Sequence, residues 1–261
     1  MRQVLDLFSL RGKVAVVSGG YDKFSRQIGL ALAQAGATTY VTSRDRSRLG
    51  EMERMYAELG CTVVADYLDV GDADSIEKLK ERVLRENGGQ VDILVNNAGG
   101  RLMNAWEDGA QFAESMRVYA HGLYAMTRAF GDAMAARKAG SIINIGSIHG
   151  MVGPTESLYE GLDLPLPVPD YFFVKGGMIN FTRFAAARYG KHNVRCNCVS
   201  PGGLRSERNS EAFAERYGKL TYLGRMANDT DLMGVIVFLA SDASLYLTGV
   251  NIPVDGGYTA Q

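Results

Sequence analysis

The sequence predicts an α/β fold: one parallel sheet with helices on both faces. Two observations carry this. Short apolar runs alternate with amphipathic, charged segments from Lys13 to Val254, and such alternation closes into a parallel sheet through right-handed crossovers. No linker, internal repeat or low-complexity segment interrupts the pattern, so the 261 residues read as a single domain, 1–261.

The elements follow in order. Lys13–Val17 is a short apolar run ending in Ser18-Gly19-Gly20, a buried strand entering a turn. Ser25–Gln34 has helical periodicity and stops at Gly36. Thr38–Thr42 is a second, β-branched strand, and a charged helix spans Asp45–Leu59. Thr62–Ala65 is the third strand, Asp72–Glu86 a helix, and Val91–Val95 a fourth strand running into Asn96-Asn97-Ala98-Gly99. A long helix over Ala110–Arg137 carries Phe112, Met116, Tyr119, Leu123, Met126, Phe130 and Met134, a stripe that packs into the core or against another helix. Strand Ser141–Ile145, helix Tyr171–Tyr189, strand Asn193–Val199, a helix at Asp231–Ala240 and strand Val250–Val254 complete the chain.

Composition narrows the function. A hydrophobic content of 46% with 22% charged residues suits a soluble protein with a sizeable core. The net charge of −1 gives no electrostatic reason to expect nucleic acid or an anionic membrane. Met1–Lys13 is too short and charged for a signal peptide, and no apolar run approaches the roughly 18 residues of a membrane span. Cys61, Cys196 and Cys198 form no disulfide framework and read as reduced thiols. His121, His149 and His192 lie far apart, so no metal site is expected. These features place the protein in the cytoplasm.

Candidate chemistry centres on Tyr171 and Lys175. Four residues apart on a helix, they share one face. An ammonium beside a phenol favours the phenolate, lowering a pKa that starts near about 10. A hydroxyl such as Ser147, brought close, would hold a carbonyl or alcohol oxygen against that phenol, which is general acid–base chemistry on a carbinol. Two polar, turn-forming stretches, Gly150–Asp170 (with Pro154, Pro165, Pro167 and Pro169) and Pro201–Asn209, leave carboxyl ends of strands. Loops there surround the ligand crevice of an open α/β sheet, and both are candidates for shaping a substrate pocket.

Taken together, these motifs resemble the short-chain dehydrogenase/reductase family over essentially the whole chain. Strand one with Ser18-Gly19-Gly20, then Asp69-Val70, Asn96-Asn97-Ala98-Gly99, Gly146-Ser147, Tyr171-x-x-x-Lys175, Pro201-Gly202, Thr248-Gly249 and Asp255-Gly256-Gly257 occur in the family's order. The resemblance implies a Rossmann-type, doubly wound sheet of about seven parallel strands and a homotetramer. It also implies a NAD(P)-dependent oxidoreductase that interconverts a secondary alcohol and a ketone on a small-molecule substrate. Tyr171 would be the catalytic acid/base and also touch the cofactor, and Ser147 would orient the reacting oxygen. Lys175 would act on Tyr171 and bind the nicotinamide ribose. Asn97, Ala98 and Gly99 would line the adenosine ribose, Asp69 and Val70 the adenine, and Pro201, Gly202 and Leu204 the nicotinamide.

The chain departs from the family at two places. The glycine-rich turn, usually T-G-x-x-x-G-x-G, reads Ser18-Gly19-Gly20-Tyr21-Asp22-Lys23-Phe24-Ser25. Gly19, Lys23, Phe24 and Ser25 are its candidate cofactor contacts, with Ser25 a small N-cap and Lys23 a positive charge. An enoyl-acyl-carrier-protein reductase branch resembles this turn, although it separates its tyrosine and lysine more widely. Second, Tyr119 stands where the family carries an asparagine of a proton relay, with His121 nearby. Two alternatives therefore stay beside the dehydrogenase reading: an enoyl-reductase-like enzyme, and a nucleotide-binding relative without catalysis. At the end of strand two, Ser43-Arg44 offers a cation where a NAD-specific site has an acid, which favours NADP(H) over NAD(H). The segment before Tyr171 is longer than usual and carries Glu156, Tyr159, Glu160 and Asp163, a polar lid suited to a multiply hydroxylated substrate. Its Tyr159-Glu160-Gly161 resembles members linked to sugar modification, including bacterial surface-sugar and flagellin-glycan pathways. Tyr159 and His149 are the candidate substrate contacts.

Overall fold

A computed structural model describes residues 3–99, 102–162, 164, 167–207 and 209–260. Strand β1 (Val14–Val17) leads into α1 (Lys23–Gln34), β2 (Thr38–Ser43), α2 (Leu49–Glu58), β3 (Val64–Tyr67), α3 (Ala73–Glu86) and β4 (Ile93–Asn96). Then come α4 (Gly109–Ser115), a π-helical turn (Met116–His121), α5 (Gly122–Arg137), β5 (Gly140–Ile145), α6 (Pro169–Tyr189) and β6 (Val194–Pro201). Helices α7 (Glu211–Lys219) and α8 (Met233–Ala240) precede β7 (Asn251–Val254).

The seven strands form one sheet in the order β3-β2-β1-β4-β5-β6-β7, and every pairing is parallel. Both neighbours of β1 are in register at its carboxyl end, Val17 lying opposite Val41 and Val95. From β1 the chain winds first to one side and then to the other. A crevice therefore opens outside the carboxyl ends of β1 and β4, the place where doubly wound sheets bind ligands.

Alternation along the strands sorts the core into two layers. Ala15 and Val17 face a cluster with Ile28, Leu32, Ile236 and Leu239 from α1 and α8. Val14 and Val16 face the opposite cluster, with Met126, Phe130 and Met134 from α5. This two-sided burial is why the strands are apolar runs and not alternating ones. A third cluster sits beyond the strand ends and joins Ile148, Leu158, Phe213, Tyr217, Met226 and Tyr258. It packs Leu158 and its described neighbours against α7.

One expectation changes: the long helix is interrupted by the π-helical turn, a feature common at functional sites. Beyond Pro201–Asn209 stands a helix that the sequence reading did not include, α7, which Ser210 caps by accepting from Phe213 N. Of the lid residues, Asp163 and Pro165 lie outside the described set.

Candidate active site

Lys175 organises one end of the crevice. Pro169 starts α6, where its missing N–H costs nothing, and Lys175 follows a turn and a half later. It is 6% exposed. Its Nζ donates to Ile145 O at 2.5 Å, tying α6 to the last residue of β5. The same Nζ lies 5.6 Å from the centre of the Tyr171 ring. Two residues beyond Ile145, buried Ser147 accepts through Oγ from His149 N at 3.2 Å. Ser147, Tyr171 and Lys175 thus line one cleft of about 430 Å³.

His149 is held against the first turn of α6. Its ring lies 4.6 Å from Phe172 and 6.2 Å, edge-on, from Tyr171. Tyr159 enters the cleft from the lid, 5.8 Å from the ring of Phe213 on α7. Pro201, Gly202 and Leu204 form the opposite wall, held by Gly202 N donating to Val254 O and by a bridge between Leu204 and Ala227.

At the β1 end the variant turn is tightly tied. Gly19 has φ +87°, and a Cβ there would lie 3.0 Å from Asn97 Nδ2, so a side chain would be strained by its backbone conformation and would press on Asn97. Ser25 is fully buried and spends its hydroxyl as a bridge: Oγ donates to Asp22 Oδ2 at 2.6 Å and accepts from Asn97 Nδ2 at 2.7 Å. Asp22 also accepts from Ser25 N at 3.0 Å, capping α1. Asn97 N and Ala98 N both meet Ser18 Oγ at 2.9 Å. A serine in the last glycine position therefore points into the turn and leaves the cleft clear.

The other expected cofactor residues are more dispersed. Phe24, Asn97 and Gly99 line the main cleft. Val70 and Ala98 line a smaller cavity with Tyr119. Asp69 accepts from Gly71 N at 2.9 Å, which engages one carboxylate oxygen in its own turn. Lys23 extends to Asp229, 3.8 Å away across the approach to α8; both groups are well exposed, and such pairs contribute little. Arg44 is exposed just past β2. Burial pushes the Tyr119 phenol up, and the Arg44 charge counters that rise.

Several cleft residues escaped the sequence reading: Asp22, Phe213, Tyr217 and Met226. Most come from α7 and its flanks. The Ser210 cap followed by Phe213 and Tyr217, four apart, was the available signal.

A family model described as enoyl-(acyl carrier protein) reductase matches residues 24–259. The galactitol 2-dehydrogenase (L-tagatose-forming) of Cereibacter sphaeroides is 34% identical over 97% of this chain and 97% of its own. A short-chain type dehydrogenase/reductase from Mycobacterium marinum superposes with a TM-score of 0.87 at 29% identity, covering 100% of both chains. A gluconate 5-dehydrogenase from Burkholderia cenocepacia J2315, solved with NADP and tartrate, gives a TM-score of 0.85 at 28% identity over 99% of this chain and 100% of its own. The chain belongs to the short-chain dehydrogenase/reductase family. Within that family it is a NAD(P)-dependent oxidoreductase acting on CH–OH groups.

Proposed function

We propose that the chain interconverts a secondary alcohol and a ketone on a sugar or polyol, with Ser147, Tyr171 and Lys175 as its catalytic residues. The Lys175–Ile145 hydrogen bond carries this reading, because it draws the helix bearing Tyr171 onto the strand end bearing Ser147. In the oxidative direction Ser147 Oγ hydrogen-bonds the substrate oxygen, and the Tyr171 oxygen takes the hydroxyl proton as the carbon gives up hydride. In reduction Tyr171 returns the proton. A bound nicotinamide supplies or accepts the hydride.

The residues fit a dinucleotide. Gly99 lines the cleft, where a Cβ would lie 3.7 Å from Lys175 Nζ and narrow the space for a ligand. The tucked Ser25 keeps the pyrophosphate path open. Arg44 supports NADP(H) over NAD(H), since its guanidinium is suited to a 2′-phosphate.

The substrate end supports a polyhydroxylated ligand. Tyr159, Phe213 and Tyr171 offer ring faces for C–H groups, while Ser147 and His149 supply polar contacts. The galactitol and gluconate specificities in the relatives' names point the same way. A homotetramer and a cytoplasmic site complete the proposal. Among the described residues no helix is long and apolar enough to cross a membrane, and all three cysteines are buried and free.

A panel of galactitol, D-gluconate and a short enoyl thioester, each with both cofactors, tests the substrate class by absorbance at the reduced-nicotinamide band. Turnover of a polyol or sugar acid is expected. Turnover confined to the enoyl thioester overturns the reading.

A further inference from the structure

Asp170, immediately before Tyr171, is 0% exposed. Burying a carboxylate is costly unless donors meet its oxygens. Here they come from three separate segments. Ser115 Oγ, at the end of α4, donates to Oδ2 at 2.6 Å. Met103 N, in the segment between β4 and α4, approaches the same oxygen at 3.4 Å. Tyr171 N donates to Oδ1 at 2.8 Å. The carboxylate also occupies the first turn of α6, where the helix dipole favours negative charge. Its charge reaches Tyr119 in the π-helical turn, adding to the rise that burial causes in that phenol.

The two functional side chains of α6 are thus anchored differently. Lys175 lies one turn inside the helix and has its own tie to β5. Tyr171 sits in the opening turn, which follows the long lid and which hydrogen bonds within the helix hold least firmly. We propose that Asp170 is a positioning residue: it pins the opening turn of α6 to α4 and to the β4–α4 segment, and so fixes Tyr171 relative to Ser147. The inference rests on the role assigned to Tyr171.

Asp92 provides the control. It too is a buried carboxylate, accepting from Val14 N at 2.8 Å and Gln90 Nε2 at 2.6 Å, but it stands at the amino end of β4, away from the cleft. Asp170→Asn, Ser115→Ala and Asp92→Asn are compared in the full chain by thermal midpoint, NADPH affinity from fluorescence, and kcat and KM on the panel substrate that the wild type turns over. Asp170→Asn is expected to lower kcat by about 10- to 100-fold, the scale on which small misplacements act, with KM and NADPH affinity within about threefold. Ser115→Ala should lower kcat less, and the double variant should be no worse than Asp170→Asn because the two groups act together. Asp92→Asn should lose melting temperature and keep kcat. Wild-type kcat in Asp170→Asn, or an equal fall in Asp92→Asn, overturns the inference. If Asp170→Asn does not fold, unchanged kcat in Ser115→Ala overturns it instead. Tyr171→Phe separates the two claims: activity retained there refutes the role of Tyr171, whereas an inactive Tyr171→Phe beside a fully active Asp170→Asn refutes only the role of Asp170.

Discussion

Arg44 leaves the end of β2 into solvent, and its neighbours Arg46 and Arg48 are seated on aromatic rings. The Arg46 guanidinium lies 3.7 Å from the Tyr67 ring centre and that of Arg48 4.5 Å from Tyr21. Arg44 acts by charge on Tyr119 and on Glu114, whose carboxyl is held low first by its hydrogen bond to Arg117. If it meets a 2′-phosphate, Arg44→Ala should weaken NADPH by about tenfold, within the range of a charge-assisted contact, and leave NADH nearly unchanged. Equal weakening of both, read by fluorescence titration, refutes the phosphate contact. At this scale the residues with fixed local geometry were legible in sequence. Tyr171 and Lys175 share a helix face through spacing alone, and Ser147 follows a strand end. Asp170 was not legible, because a buried carboxylate is defined by donors distant in sequence, here Ser115 and Met103.

Among the elements, the lid and α7 form one unit. Arg216 Nη1 donates to Glu160 O at 2.6 Å and approaches Ser157 O at 3.4 Å, while Thr155 and Tyr258 hydroxyls lie 2.8 Å apart. Tyr159 and Phe213, one from each side, face the cleft together. Arg216→Ala removes the polar clamp and leaves the packed cluster. It should raise KM about fivefold, matching the loss of roughly 1 kcal/mol from a hydrogen bond, with kcat within about twofold. An unchanged KM would show that the lid is set by apolar packing alone. The strands were readable because burial on both faces makes each an apolar run, although β3 and β4 begin two residues later than the sequence suggested. The π-helical turn was not readable, since the stripe through Met116, Tyr119 and Leu123 runs on through it and leaves no gap in the pattern. Helix α7 was obscured by its short, polar composition.

For the whole molecule, alternation of strand and helix was enough to give a parallel sheet covered on both faces, and the family resemblance supplied its count of about seven strands. Assembly is less visible in either. Phe173 is 65% and Phe184 63% exposed on α6, with Tyr124 exposed on α5. Large apolar side chains grouped on two helices suit contact with another copy. The proposed homotetramer predicts a light-scattering mass of about four times the 28.3 kDa chain. A monomer at micromolar concentration contradicts it.

In the proposed mechanism Tyr171 moves the proton while the cofactor stays bound without its hydroxyl. The most direct measurement pairs turnover on the best panel substrate with NADPH titration in Tyr171→Phe. Removal of the hydroxyl should reduce kcat by at least about 1,000-fold, within the range of general acid–base contributions, and leave NADPH affinity within about twofold. Substantial turnover in that variant would refute Tyr171 as the acid/base.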